Sequence, residues 1–471
     1  MVLVLTVVVL QSISFSNYAL TTKTTNIIYG SAPYLTFDGG RTRVTNTEAL
    51  LGISLSDGRT FTPTTTNSRD NPIILPVDGQ SFNDIGMLVP TNTNSIALSS
   101  LIGTPYNYWG DDDGDGQGVN GVTATGSLNL SIVDNFNNPV ARNEVLTICK
   151  APYKLTLSNG SGTLTTRYGV PNESRFTAGN ATYYINPKAA PTICFAKPNL
   201  RYGGNREQAE TGAGYKMFNF AGPANIWNPE KGFLPQSATP SSYGLNFPTT
   251  GSDNLYFDLD IGGVSQALSW ASVKHSGITA TMTNSTSTSV RVTLTGPFAT
   301  TSQVWADNPS RIARISLPQT FELVGRDSSG NAVVKYGFVL KQWFVGRGSE
   351  YSTYSRMKYW CNKIGGYRIP YVKDLTNAIC TEEPSIYRCQ GAVGATPSSS
   401  GNNYMRHIGA GLFAEWGRMD YYAGSNFDDW IYDFWANGNL SGFYFYVDYF
   451  TGIISSATNS EYELPVVCVY P

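Results

Sequence analysis

The strongest constraint on this chain lies near its C-terminal end. Between Tyr354 and Pro471 fall four of the six cysteines and four of the nine tryptophans. Tyr354, Met357, Cys361 and Ile364 recur at helical spacing behind the cap Ser352-Thr353, which predicts a helix with Cys361 on its buried side. Gly365-Gly366 then stops it, because glycine adopts the left-handed conformation that ends helices at little cost. A second short helix is expected from Pro370, with the proline in its first turn and Val372, Leu375 and Ile379 as its buried stripe. Farther on, Phe443–Tyr449 and Leu464–Val469 read as strands. A cysteine on the first helix and another in the last strand would tie the ends of one domain together.

That arrangement resembles a C-type-lectin-like domain. The segments Trp360-Cys361-Asn362, Gly366-Tyr367-Arg368-Ile369-Pro370, Asp374-Leu375-Thr376-Asn377-Ala378 and Gly391–Pro397 narrow the resemblance further. They are similar to the C-terminal region of invasin/intimin-related bacterial surface adhesins, especially the large repeat-bearing invasin-like proteins of enteric bacteria. The upstream part also resembles the region that precedes the lectin-like tip in those proteins. The resemblance implies several β-rich or Ig-like β-sandwich domains, followed by a C-terminal α+β C-type-lectin-like domain. It also implies a non-enzymatic adhesin that meets a host-cell surface protein, or a glycan, through its tip. A surface location would call for an outer-membrane anchoring partner or an anchor region outside this sequence.

Composition agrees with exported β structure. Charged residues make up only 14 % of the 471 residues and the net charge is −2, so there is no basic surface for a nucleic-acid backbone. Abundant glycine, threonine, serine, asparagine and tyrosine, with few lysines and glutamates, favour sheets joined by turns over surface helices. Val2–Leu10 is nearly continuous in apolar residues and too short to span a bilayer as a helix. It reads as the core of a secretory signal over residues 1–19, with cleavage near Ala19, although no Lys or Arg precedes it. An even number of cysteines and apparent export favour structural disulfides over a metal cluster. Their order suggests Cys149 with Cys194, Cys361 with Cys468 and Cys380 with Cys389, while leaving other pairings open.

A chain of this length divides into about three or four domains. The expected divisions are a β-rich domain over 26–150, a β-rich domain with a long connector over 151–250, an Ig-like spacer over 251–341 and the lectin-like domain over 346–471. In the spacer, Leu255–Ile261 alternates, and Asp327–Asn331 reads as a hairpin loop between Phe321–Val324 and Val333–Val339. Trp227, in an aperiodic stretch, reads as a buried aromatic that pins a loop.

Chemistry is sparse. Asp111, Asp113 and Asp115 alternate beside glycines, as in the first half of a calcium loop, but Val122 stands where a bidentate glutamate would complete it. The favoured reading is a solvated acidic turn, with structural calcium as the alternative and no cofactor required. His275 and His407 are the two histidines. No nucleophile elbow, zinc helix, phosphate loop or dinucleotide fingerprint accompanies them. Glu415 and Asp420 have nothing that singles them out as a glycosidase pair. Glu383-Pro384-Ser385 lies inside the expected Cys380–Cys389 loop, not where calcium-dependent lectins carry their sugar-binding tripeptide. The aromatic excess is the remaining signal. Trp430, Tyr432, Trp435, Tyr444 and Tyr446, beside Asp428, Asp429 and Asp433, have the composition of a protein-binding surface and are the expected ligand contacts.

Overall fold

A computed structural model describes residues 29–113, 121–211, 214–380, 388–425, 427, 433–460 and 462–471. The expected signal segment lies outside them. The chain is mainly β and forms two compact units, Met1–Lys188 and Ala189–Pro471. Among the described residues no helix is long and apolar enough to cross a membrane.

The first unit is organised by a five-stranded sheet in the order Ile73–Ile74, Gly179–Asn186, Tyr153–Asn159, Ser127–Val133 and Ser95–Ala97. Its central strand buries Tyr153, Leu155, Leu157 and Asn159 at alternate positions, as a pleated strand with one covered face must. Antiparallel register places Leu157 between Ala181 and Leu130, and Leu155 between Tyr183 and Ile132. Leucine, isoleucine and valine from both strands and loops fill the core beside this face. Because strands 127–133 and 153–159 are direct neighbours, the expected boundary between residues 150 and 151 falls inside this sheet and is corrected here.

In the second unit a seven-stranded sheet runs in the order 227–228, 232–233, 192–197, 256–262, 289–295, 278–283 and 273–275. A three-stranded sheet of 269–270, 319–326 and 332–340 supplies the second layer of an Ig-like sandwich. Phe257 of the first layer meets Phe338 of the second edge-on, with ring centroids 6.0 Å apart. The hairpin between Gln319–Arg326 and Ala332–Leu340 turns at Asp327–Asn331, as expected. Asp327 Oδ1 accepts from Ser329 N and Asn331 N there, and Gly330 has φ +85°.

The other two expected divisions also cut across paired strands. Thr192–Lys197 pairs with Tyr256–Gly262, so the sandwich begins well before residue 251. Gln342–Gly346 lies between Thr250–Ser252 and the terminal strand Val467–Tyr470, so residues 346–471 share a sheet with the spacer. One continuous hydrophobic core runs from Ile193 to Val469. The stretch around Trp227 contains short strands and a Glu207–Thr211/Gly214–Phe218 hairpin. Trp227 itself is buried and donates from Nε1 to Gly203 O at 2.7 Å, which pins that loop.

Candidate functional site

The C-terminal part is closed by its first helix and last strand. The helix Tyr354–Lys363 buries Tyr354, Met357, Trp360 and Cys361. It ends where Gly365 and Gly366 adopt φ +110° and +98°. Cys361 is disulfide-bonded to Cys468 in the terminal strand, with Cα atoms 5.4 Å apart. Cys380 is bonded to Cys389. Cys149 and Cys194 are disulfide-bonded as well, so the chain has no free thiol. Disulfides of this kind persist mainly in oxidising compartments outside the cytoplasm.

The second expected helix is shorter than its sequence pattern suggests. It spans Val372–Leu375 and ends at Thr376, whose backbone is extended. Ile379 therefore lies outside the helix and is exposed, which removes it from the buried stripe. Asn377 supplies a reason for the early stop. Its Nδ2 donates to Pro397 O and Met405 O, and its Oδ1 accepts from Met405 N. An amide buried this deeply keeps its bonds only if the backbone around it leaves the helix.

The aromatic cluster is largely core. Tyr404, Phe413, Trp416, Tyr422, Phe427 and Phe434 are all buried. Trp435, expected as a ligand contact, is corrected to a core residue. It is 0 % exposed, donates from Nε1 to Ser352 O at 2.9 Å and meets Tyr354 edge-on. Trp430 and Tyr432, with Asp428 and Asp429, lie outside the described residues. Alternation along Phe443–Asp448 does separate two faces, since Phe445 and Val447 are buried while Tyr444 and Tyr446 are partly exposed. Tyr444 stacks on Tyr354 with centroids 4.0 Å apart, which leaves it half committed to packing. Tyr446 lies beside Tyr462, whose exposure is 50 %. Sequence reasoning missed Tyr462, although its position between Glu461 and Glu463 is a signal for an outward side chain.

The acidic groups do structural work. Glu415 is wholly buried and accepts from Thr249 N and Oγ1, Thr250 N and Oγ1, and Gly409 N. Its carboxylate thus joins the short helix Leu412–Trp416 to the strand Thr250–Ser252. Asp420 is held in a two-pronged pair by Arg418. Asp433 and Asp448 face each other across a β-ladder. Burial and the charge of Asp448 push Asp433 well above the usual carboxylate range. Burial also raises Asp448, to about 6, against donors from Phe450 N, Thr451 N and Thr451 Oγ1 and the nearby charge of Arg418. His407 contacts Ile408 O through Nδ1 at 2.8 Å, and His275 is an exposed residue edge-on to Phe321.

In the first unit, Asp113 accepts from Ser31 N at 2.6 Å. Asp112 pairs with Arg43 and accepts from Tyr34 Oη. Asp111 belongs to the same turn, whereas Asp115 lies outside the described residues. Among the described residues no three His, Cys, Asp or Glu side chains are grouped as metal ligands.

The molecule is thus a disulfide-braced, mainly β protein whose C-terminal part combines a helix, a terminal strand and a three-stranded sheet. No family model and no curated protein matches it. Among solved structures, it is similar to invasin, described as a bacterial integrin-binding protein, at 12 % identity and a TM-score of 0.34, over 75 % of this chain and 52 % of that one. It is also similar to a C-terminal 282-residue intimin fragment in complex with the intimin-binding domain of its translocated receptor, at 13 % identity and a TM-score of 0.30, over 74 % of this chain and 93 % of that one. An intimin mutant of EHEC O157:H7 aligns at 13 % identity and a TM-score of 0.27, over 48 % of this chain and 89 % of that one. The chain spans about half the length of the invasin structure.

Proposed function

We propose that this chain is a bacterial adhesin of the cell surface or extracellular space, non-catalytic, with residues 346–471 acting as a C-type-lectin-like tip that binds a host-cell surface protein. The sequence segments around Cys361, Ile369 and Thr396 support the lectin-like reading. The oxidised cysteines support export. The observation that carries a binding role is Tyr462, half exposed beside the partly buried Tyr446, which itself meets the core residue Trp435 edge-on. Rings of this kind supply much of the energy at protein interfaces, because they bury large areas with few torsions to freeze.

The test is binding of the full oxidised chain to intact host cells, repeated with a chelator, after glycan removal and after protease treatment of the cells. Protease-sensitive binding without a calcium requirement supports the proposal. Loss only on glycan removal assigns the surface to a carbohydrate, and a folded chain that binds no cells is a structural surface protein. Replacing the exposed Tyr462 by alanine should cost at least about 2 kcal/mol of binding with the melting temperature kept.

A further inference from the structure

A second site opens where the sandwich meets the Tyr354–Lys363 helix. Asp307, Arg347, Ser355, Arg356 and Tyr359 line a cavity of about 320 Å³ there. Arg347 is only 2 % exposed, which is unusual for a group that stays charged at any physiological pH. Its Nε donates to Val304 O at 3.0 Å, its Nη1 contacts Met357 Sδ at 3.3 Å, and its guanidinium lies over the Trp360 ring. Among the described residues, Nη2 has no hydrogen-bond partner and no carboxylate lies within ion-pair distance of Arg347. A carbonyl, a thioether and a ring orient this cation without neutralising it. Burial accordingly draws Arg347 below its usual value, while Glu350 and Asp307 act only from a distance.

At the mouth, Arg356 pairs with Asp307 at 2.6 Å, with both side chains open to solvent. An exposed pair of this kind exchanges readily, because water competes for both partners. Tyr359 is 50 % exposed, and Trp305, two residues before Asp307, is 62 % exposed. The lining therefore includes one buried arginine, one exposed arginine and the half-exposed Tyr359. A planar carboxylate matches the guanidinium fork and supplies the charge that Arg347 lacks. The volume is at the small end for a ligand site, ample for a single carboxylate side chain.

We propose that this cavity receives an aspartate or glutamate side chain of a protein ligand, with Arg347 and Arg356 as the recognising groups and Asp307 as the internal competitor. The adhesion reading enters only in naming a protein as the source of the carboxylate. Met357 provides the reporter, since its sulfur touches Arg347 and the chain has only seven methionines. Methyl NMR of the full chain, with Met357→Leu to assign the resonance, should show a saturable shift on titration with N-acetylglutamate methylamide and none with the neutral glutamine analogue. Asp307→Asn should tighten that response about threefold by freeing Arg356, and Arg356→Gln should weaken it by a similar factor; both act at exposed positions. Equal responses to the two probes, or an Asp307→Asn variant with unchanged affinity, overturn the proposal. A response to N-acetylneuraminate alone also overturns it and gives the cavity to an acidic sugar. Cell binding without a glutamate response removes this inference alone, whereas a glutamate response in a chain that binds no cells removes only the adhesion reading.

Discussion

The unit ending at Lys188 is held by aliphatic side chains on alternate positions of one five-stranded sheet, whereas the unit from Ala189 onward is held by rings and buried polar groups drawn from distant segments. In the first, the central strand and its two neighbours supply Leu155, Leu157, Leu130, Ile132 and Ile185. In the second, Trp227, Trp343, Trp360, Trp416 and Trp435 are all fully buried, and each of their indole nitrogens donates to a backbone oxygen elsewhere in the chain. An aliphatic face needs only to be covered, so many neighbours will serve. A buried indole or carboxylate needs a partner in one place, so it fixes which segments meet.

The largest expected effect comes from opening the Cys361–Cys468 bridge. Replacing both cysteines by serine should remove about 4 kcal/mol, given the length of the closed loop. Calorimetry should show the transition of 189–471 falling while that of the first unit stays. Because Val467–Tyr470 pairs with Gln342–Gly346, amides of the sandwich next to that strand should lose exchange protection too. If only residues 346–471 loosen, the tip is an independent domain and the shared core is less cooperative than its packing implies.

Two substitutions sharpen the contrast. Leu157→Ala should cost about 3 kcal/mol through the cavity it leaves, confined to the first transition. Glu415→Gln should cost about 2 kcal/mol, confined to the second, because an amide cannot accept from all the donors that converge on the carboxylate. Transitions that shift together in either variant would dissolve the two-unit description.

A smaller effect is expected from pH. Asp448, raised to about 6 chiefly by burial, and Asp433, raised well above its usual range by burial and by Asp448, hold protons that the unfolded chain releases nearer the ordinary value of 3.8. The stability they contribute is complete below that value and is lost as pH rises through the folded value. The second unit should therefore melt at a higher temperature at pH 5 than at pH 7. Asp448→Asn should flatten the difference, and a first unit with the same slope would argue against this pair as its source.

The smallest effect concerns the acidic turn. Read as solvated and already bonded to Ser31, it predicts no change in the first transition on adding calcium. A rise that a chelator reverses and Asp113→Ala abolishes would make it a calcium loop.

Local pattern determined much of this protein. Alternation along Leu128–Ile132, Tyr153–Leu157 and Leu255–Ile261 specified strands with one covered face, because the pleat repeats every two residues. Helical spacing from Tyr354 and the glycine pair after it specified the bridging helix, because both are properties of a single turn of backbone. Tertiary structure decided what those elements joined. No local period could show that Gln342–Gly346 would lie between Thr250–Ser252 and Val467–Tyr470, or that Asn377 would leave the helix to bond Pro397 and Met405. The same holds for the aromatics: Trp435 and Tyr446 look equally suited to a surface in sequence. Yet Trp435 is wholly buried and bonded to Ser352 O, while Tyr446 lies half-buried between Trp435 and Tyr462, because the depth at which a ring settles depends on which distant segments pack around it.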